Sequence, residues 1–265
     1  MPLIHHAVTG EGSPPLVFVH GFGCARADWD AQVRHLSGRY RCVAVDLRGH
    51  GDSPGTAAEC SLERYGADVA EVMRALALPP AVIVGHSMGC RVVTEAALQA
   101  PDHTAGVILV DGSQFGAEVA TVLKDRLATA EGYSTYTEGL FKDMFTAKSD
   151  AATAASVIVR ARRLPREIGQ KMLSDMVRYD TTRLERSFGG LRVPVMAIQT
   201  TARNAAGMRT SLRRGDTSPY LEMLRANVPG ARVEIIEDTG HFPQLDESGQ
   251  SNALIEAFLT GVAAG

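Results

Sequence analysis

The sequence predicts an α/β fold: a mostly parallel central sheet flanked by helices, with a helical segment inserted late in the chain. Three observations predict it. Short apolar runs rich in β-branched residues, such as Val82-Ile83-Val84 and Val107-Ile108-Leu109-Val110, read as strands covered on both faces. Longer stretches with apolar residues at helical spacing alternate with them, the order expected of parallel strands joined by crossover helices. The alternation stops between residues 114 and 189, where no strand-like run appears.

The strand candidates, in chain order, cover residues 16–20, 42–46, 81–85, 106–111, 193–200 and 232–237. Between the second and third, Val69, Val72, Met73 and Leu76 recur at helical spacing. Ser61 is placed to cap that helix, and Pro79-Pro80 ends it. A helix begins near Ser87 and runs toward Gln99. Another starts at Ser218-Pro219, with proline in its first turn, and stops by Pro229-Gly230. The last covers roughly residues 251–261. The interrupting stretch divides into four helical patterns over 117–131, 136–145, 151–163 and 165–179, and so reads as an inserted cap. The expected organisation is a core of residues 1–113 and 190–265 with a helical cap at 114–189.

Composition narrows the function. With 265 residues, 45% apolar and 22% charged, the chain can bury a full core without a metal or disulfide staple. A net charge of −3 argues against nucleic acid as a partner. Cys24, Cys42, Cys60 and Cys90 show no metal-ligand spacing, so no metal is expected. The first apolar run is too short for a signal peptide and nothing approaches a membrane span, so a cytoplasmic protein without membrane association is expected.

Chemistry concentrates at three places. Gly85-His86-Ser87-Met88-Gly89 follows a strand and opens a helix. A serine there stands on a cramped turn, its glycine neighbours remove Cβ atoms that would clash, and the helix N-terminus favours negative charge. Ser87 is thus the candidate nucleophile. His20-Gly21-Phe22-Gly23 follows the first strand and offers a backbone N–H, that of Phe22, to pair with the N–H of Met88 as an oxyanion hole. Gly240-His241-Phe242 follows the last strand, where an imidazole can reach the serine across the top of the sheet, making His241 the candidate base. His86 is expected to pack beside the turn.

Together with Asp46-Leu47-Arg48-Gly49-His50-Gly51-Asp52-Ser53, these motifs resemble the α/β-hydrolase superfamily, and more narrowly its capped carboxylesterase, C–C hydrolase and cofactor-free haloperoxidase branch. The resemblance covers about residues 14–113 and 190–262. It implies the α/β-hydrolase fold, a Ser-His-Asp triad, no cofactor and a small-molecule ester substrate. It assigns the 46–53 segment a structural role, without catalytic duty for His50 or Asp52. Where similar proteins carry the triad acid, after the strand at 193–200, this chain has Gln199-Thr200-Thr201-Ala202-Arg203-Asn204. Two acids remain: Asp111, on a rigid strand end, is favoured, and Asp216, in a loop before a helix, is the alternative. Carboxylic ester hydrolysis is the expected reaction. The alternatives are C–C bond or lactone hydrolysis, and ligand binding by a non-catalytic receptor.

The cap residues Phe115, Tyr133, Tyr136, Phe141, Met144, Phe145, Met172 and Met176 are expected mainly to pack its helices together. Arg160, Arg162, Arg163 and Arg166 are expected on a solvated face.

Overall fold

The computed structural model describes residues 2–203 and 208–263. The chain runs β1 (His6–Thr9), β2 (Leu16–Val19), α1 (Asp30–Leu36), β3 (Cys42–Val45), α2 (Leu62–Ala75), β4 (Ala81–His86), α3 (Met88–Gln99) and β5 (Thr104–Val110). Five helices follow: α4 (Glu118–Arg126), α5 (Ala130–Lys142), α6 (Ala151–Ala161), α7 (Arg166–Thr182) and α8 (Leu184–Gly190). The remainder is β6 (Val195–Gln199), β7 (Thr201–Arg203), β8 (Arg209–Ser211), α9 (Pro219–Asn227), β9 (Arg232–Ile235), α10 (Pro243–Asp246) and α11 (Ser248–Ala263).

Seven strands form one sheet in the order β1-β3-β2-β4-β5-β6-β9, parallel except for β1. Each of the six expected strands is present. Both faces are covered, and the two-residue period sorts side chains between them. Val17, Val19, Ile83, Val107 and Leu109 pack with α2, α3 and the inserted helices. Leu16, Phe18, Val82, Val84 and Ile108 pack with Trp29, Leu36, Ile255 and Phe258. The third strand from each side flanks β4 at the centre, so the turn after β4 opens at the middle of the sheet's C-terminal edge, where parallel α/β sheets bind ligands.

Ser61 and Ser218 cap α2 and α9 as expected, their hydroxyls accepting from Arg64 N at 3.1 Å and Leu221 N at 3.3 Å. Four differences stand out. The antiparallel edge strand β1 has a mostly exposed, polar pattern that gives no apolar run. The short helix α1 also lacked a clear sequence signal. The helix expected over 117–131 is two: it breaks after Arg126, and Thr129 caps α5 by accepting from Gly132 N at 3.0 Å. Finally, α8 lies against the sheet side of the molecule, with Phe188 edge-on to Tyr220 of α9 at 5.7 Å and Ser187 reaching Glu95 of α3. The four cysteines are free and buried. Among the described residues no helix is long and apolar enough to cross a membrane.

Candidate active site

Ser87 stands between β4 and α3 with φ 56° and ψ −114°, in the left-handed region that a side chain rarely adopts. The turn is held by a hydrogen bond from Ser87 N to Val110 O at 2.9 Å. Its glycines are sterically required. A Cβ on Gly85 would lie 2.3 Å from Gly89 O, and one on Gly89 would lie 2.6 Å from Val19 O. Met88 is the first residue of α3, so its N–H has no partner within the helix. The loop after β2 closes against the turn: a Cβ on Gly21 would touch the Ser87 Cβ at 3.1 Å. Phe22 is the next residue of this loop and is buried.

His241 lies in the loop between β9 and α10 and is almost fully buried. Its Nε2 is 2.8 Å from Ser87 Oγ and its Nδ1 is 2.5 Å from Asp111 Oδ2. The loop is pinned at two points: His241 N donates to Met144 O at 2.7 Å, and Thr200 Oγ1 donates to Gly240 O at 2.8 Å. His86 Nε2 donates to His241 O at 2.7 Å, with its ring 4.8 Å from those of His241 and Phe242. As expected, His86 packs beside the turn.

Asp111 follows β5 with φ 44° and is wholly buried. Its Oδ1 accepts from Thr200 N and Thr201 N, both at 2.8 Å, and its Oδ2 from Thr201 Oγ1 at 2.6 Å. Burial alone would raise its pKa. The His241 bond, the charges of His241 and Arg209 and the Thr201 hydroxyl instead hold it down to about 2. The polar end of β6, which has no carboxylate, thus forms the cradle for an acid borne by the neighbouring strand. Asp216 is apart from this arrangement. It is exposed in the loop before α9, where its carboxylate accepts from Arg213 N at 2.8 Å.

Arg209, which carried no sequence signal, lies behind the imidazole. Its Nη1 is 3.0 Å from His241 Nδ1 and 2.6 Å from Thr201 Oγ1. Burial, followed by the charge of Arg209, lowers the His241 pKa to about 4 against the pull of Asp111. The imidazole is therefore neutral at pH 7 and free to accept a proton.

The residues beneath the Phe22 loop are polar, and His20 uses both of its ring nitrogens. His20 Nδ1 donates to Gly21 O at 2.7 Å while its Nε2 accepts from Leu47 N at 3.0 Å, which fixes a neutral tautomer under the loop. In the 46–53 segment Asp46 accepts from Arg26 N at 2.8 Å and Asp52 N at 3.2 Å, and a Cβ on Gly51 would lie 2.3 Å from the Asp46 carboxylate. His5, Asp46 and Asp52 converge at ligand spacing, and the Arg26 guanidinium pairs with both carboxylates, 3.4 Å from Asp46 and 3.2 Å from Asp52.

Helices α5 and α6 pack against the loop that carries Phe22. A Cβ on Gly23 would meet Phe141 of α5 at 2.9 Å and Ala161 of α6 at 3.2 Å. Phe141, Met144, Met172 and Met176 are buried packing residues, while Tyr133, Tyr136, Phe115 and Phe145 are partly buried. Arg160 corrects the expectation of a solvated face: its Nη1 pairs with the buried Asp28 at 2.5 Å, linking α6 to the region beneath the Phe22 loop.

Residues 16–253 match the model of the alpha/beta hydrolase family. The chain is 31% identical over 221 residues to a 2-(acetamidomethylene)succinate hydrolase of Mesorhizobium japonicum, covering 81% of this chain and 71% of that protein. It is 29% identical over 269 residues to the dihydrolipoyllysine-residue acetyltransferase component of an acetoin cleaving system from Cupriavidus necator, covering 97% of this chain. The match spans 67% of that longer protein. Among solved structures, a thermophilic esterase from Thermogutta terrifontis superposes with a TM-score of 0.81 at 22% identity, covering 98% of this chain and 93% of the esterase. At that identity the likeness concerns the fold.

Proposed function

The chain belongs to the alpha/beta hydrolase family, and we propose that it is a serine hydrolase cleaving carboxylic esters of small molecules through an acyl-enzyme. The observation that carries the reading is the unbroken relay from Asp111 Oδ2 through His241 to Ser87 Oγ, with contacts of 2.5 and 2.8 Å. The esterase among the structural neighbours and the hydrolase among the relatives are in keeping with this reaction class.

In this reading Ser87 Oγ attacks the ester carbonyl carbon while His241 Nε2 takes its proton. The carbonyl oxygen becomes an oxyanion, received by the N–H groups of Phe22 and Met88 at the N-terminus of α3. His241 then returns the proton to the departing alkoxide, leaving the acyl group on Ser87. A water, deprotonated by His241, attacks the acyl carbon; the acyl–oxygen bond to Ser87 then breaks, His241 returns the proton to Ser87 Oγ, and the acid leaves. Asp111 holds the Nδ1–H tautomer and stabilises the transient imidazolium. Residues 1–113 and 190–265 act as the catalytic core. Residues 114–189 act as a cap whose α5 and α6 confine the acyl group over the Phe22 loop.

The test is labelling by a fluorophosphonate, combined with turnover of a panel of nitrophenyl acyl esters. The protein is expected to label stoichiometrically and to hydrolyse at least part of the panel. Ser87→Ala should abolish labelling and lower kcat by about 10⁴-fold or more with the fold intact. Turnover confined to lactones or to C–C substrates would move the reading to those reactions. Labelling without turnover of any of them would make the protein a binding module.

A further inference from the structure

The antiparallel hairpin of β7 and β8 leaves the sheet directly at the end of β6, where similar proteins carry the triad acid. Its outgoing strand begins with Thr201, which gives Asp111 both an N–H and a hydroxyl bond. Its returning strand begins with Arg209, whose side chain is only 6% exposed. Nη1 of Arg209 lies 2.6 Å from Thr201 Oγ1, 3.0 Å from His241 Nδ1 and 3.5 Å from Asp111 Oδ2. Among the described residues its Nε has no hydrogen-bond partner. The nearest carboxylate, Asp111, is thus shared between a guanidinium and an imidazole.

The contact with Nδ1 is electrostatic. At 2.5 Å from Asp111 Oδ2, Nδ1 must carry the proton it donates, so it has no lone pair for an arginine N–H. Protonating Nε2 would then place a second positive charge beside a buried guanidinium in a medium of low dielectric.

We propose that Arg209 is a positioning residue that anchors Asp111 through the hairpin and keeps the His241 imidazole neutral well into the acid range. The inference rests on the reading of Ser87 and His241 as nucleophile and base. Other charged and titratable groups face the imidazole from the neighbouring elements. Asp111, from the end of β5, favours the imidazolium. His86, from the end of β4, is itself held neutral, its pKa lowered to about 3 by burial and by His241. Arg203 of β7 opposes the imidazolium from farther off and pairs with Asp143, just after α5, at 3.4 Å. Asp246 of α10 lies beyond Gly240 and accepts from Ser149 Oγ at 2.8 Å. Among the described residues, Arg209 is the cation in contact with the ring. The consequence is a base that remains competent in mildly acidic surroundings.

The experiment is an NMR titration of nitrogen-15-labelled histidine in the full chain, with His241→Gln identifying the His241 signals. The wild-type midpoint should lie below the ordinary imidazole value of about 6.5. Arg209→Met should raise it by about one pH unit or more, and Arg209→Lys, which keeps a charge, by less. The acid limb of fluorophosphonate labelling should move with it. A midpoint in Arg209→Met within about 0.3 of a unit of wild type overturns the proposal. Should that variant not fold, Arg209→Gln is titrated in its place: a midpoint raised by about half a unit or more supports the proposal, and one within about 0.3 of a unit of wild type overturns it. Failure of the protein to label at all would instead count against the catalytic reading, while the imidazole titration still reports on Arg209.

Discussion

Ser87 and Asp111 both hold positive φ angles, at 56° and 44°, just beyond the ends of the two neighbouring central strands β4 and β5. Such a conformation costs on the order of 1–3 kcal/mol per residue and persists only where surrounding bonds over-determine it. For Asp111 those bonds are three from Thr200 and Thr201 and one from His241. Asparagine tolerates the same backbone region, so Asp111→Asn should keep the fold while losing the charge that holds the Nδ1–H tautomer. We expect kcat to fall by about 10⁴-fold. Asp216→Asn, at an exposed loop carboxylate, should leave ester hydrolysis near wild type. Steady-state kinetics on the two purified variants compare them directly, and equal activity would discard Asp111 as the triad acid.

At the scale of elements, α3 is the hub. Besides presenting Ser87 at its N-terminus, it carries Arg91 and Glu95, both buried. Arg91 makes a two-pronged pair with Asp180 of α7, Nε to Oδ1 at 2.7 Å and Nη2 to Oδ2 at 2.5 Å. Glu95 accepts from Tyr179 at 2.8 Å and from Arg183 at 2.7 and 2.9 Å. Two ion-pair networks thus tie α3 to α7 and the turn that follows it. Removing one partner of a pair buried on both sides strands the other charge. Asp180→Ala should therefore cost about 3–5 kcal/mol, read as a lowered urea midpoint. Glu138→Ala, which removes the exposed pairs with Lys142 and Arg162, should move the midpoint far less. Equal midpoints for both variants would show that the α3–α7 link contributes nothing to stability.

At the scale of the whole molecule, four buried histidines dominate the acid response. Burial is the chief cause in each: it lowers the pKa of His20 and His241 to about 4 and of His50 and His86 to about 3. In the unfolded chain each would take up a proton near pH 6.5. The unfolded state therefore binds more protons as pH falls below that value. The stability these groups contribute is complete above about pH 6.5 and is lost progressively between there and pH 3–4. Tm measured by calorimetry should fall steadily from pH 7 to pH 4, with a slope corresponding to uptake of more than one proton on unfolding. A flat Tm between pH 7 and pH 5 would contradict this account.

What the sequence determined by itself was everything written over short spans. Five of the six parallel strands are legible as apolar runs covered on both faces, and the edge strand β9 by the alternation of Val233 and Ile235 with charged residues. The caps at Ser61 and Ser218 and the turn at Ser87 are legible because their partners lie within four residues. His241 could be singled out by its place after the last strand. Tertiary structure decided the rest. Asp111 and His241 stand 130 positions apart, and their meeting depends on the register of β5 on β6, which pairs Val110 with Ile198 and so brings Thr200 and Thr201 over the carboxylate. Arg209 is 98 residues from Asp111 and sits on a three-residue strand too short to leave a period. Periodicity reports which face of an element is buried. It carries no information on which side chains from distant elements meet once the sheet is assembled, and there the acid and its neighbouring cation were chosen.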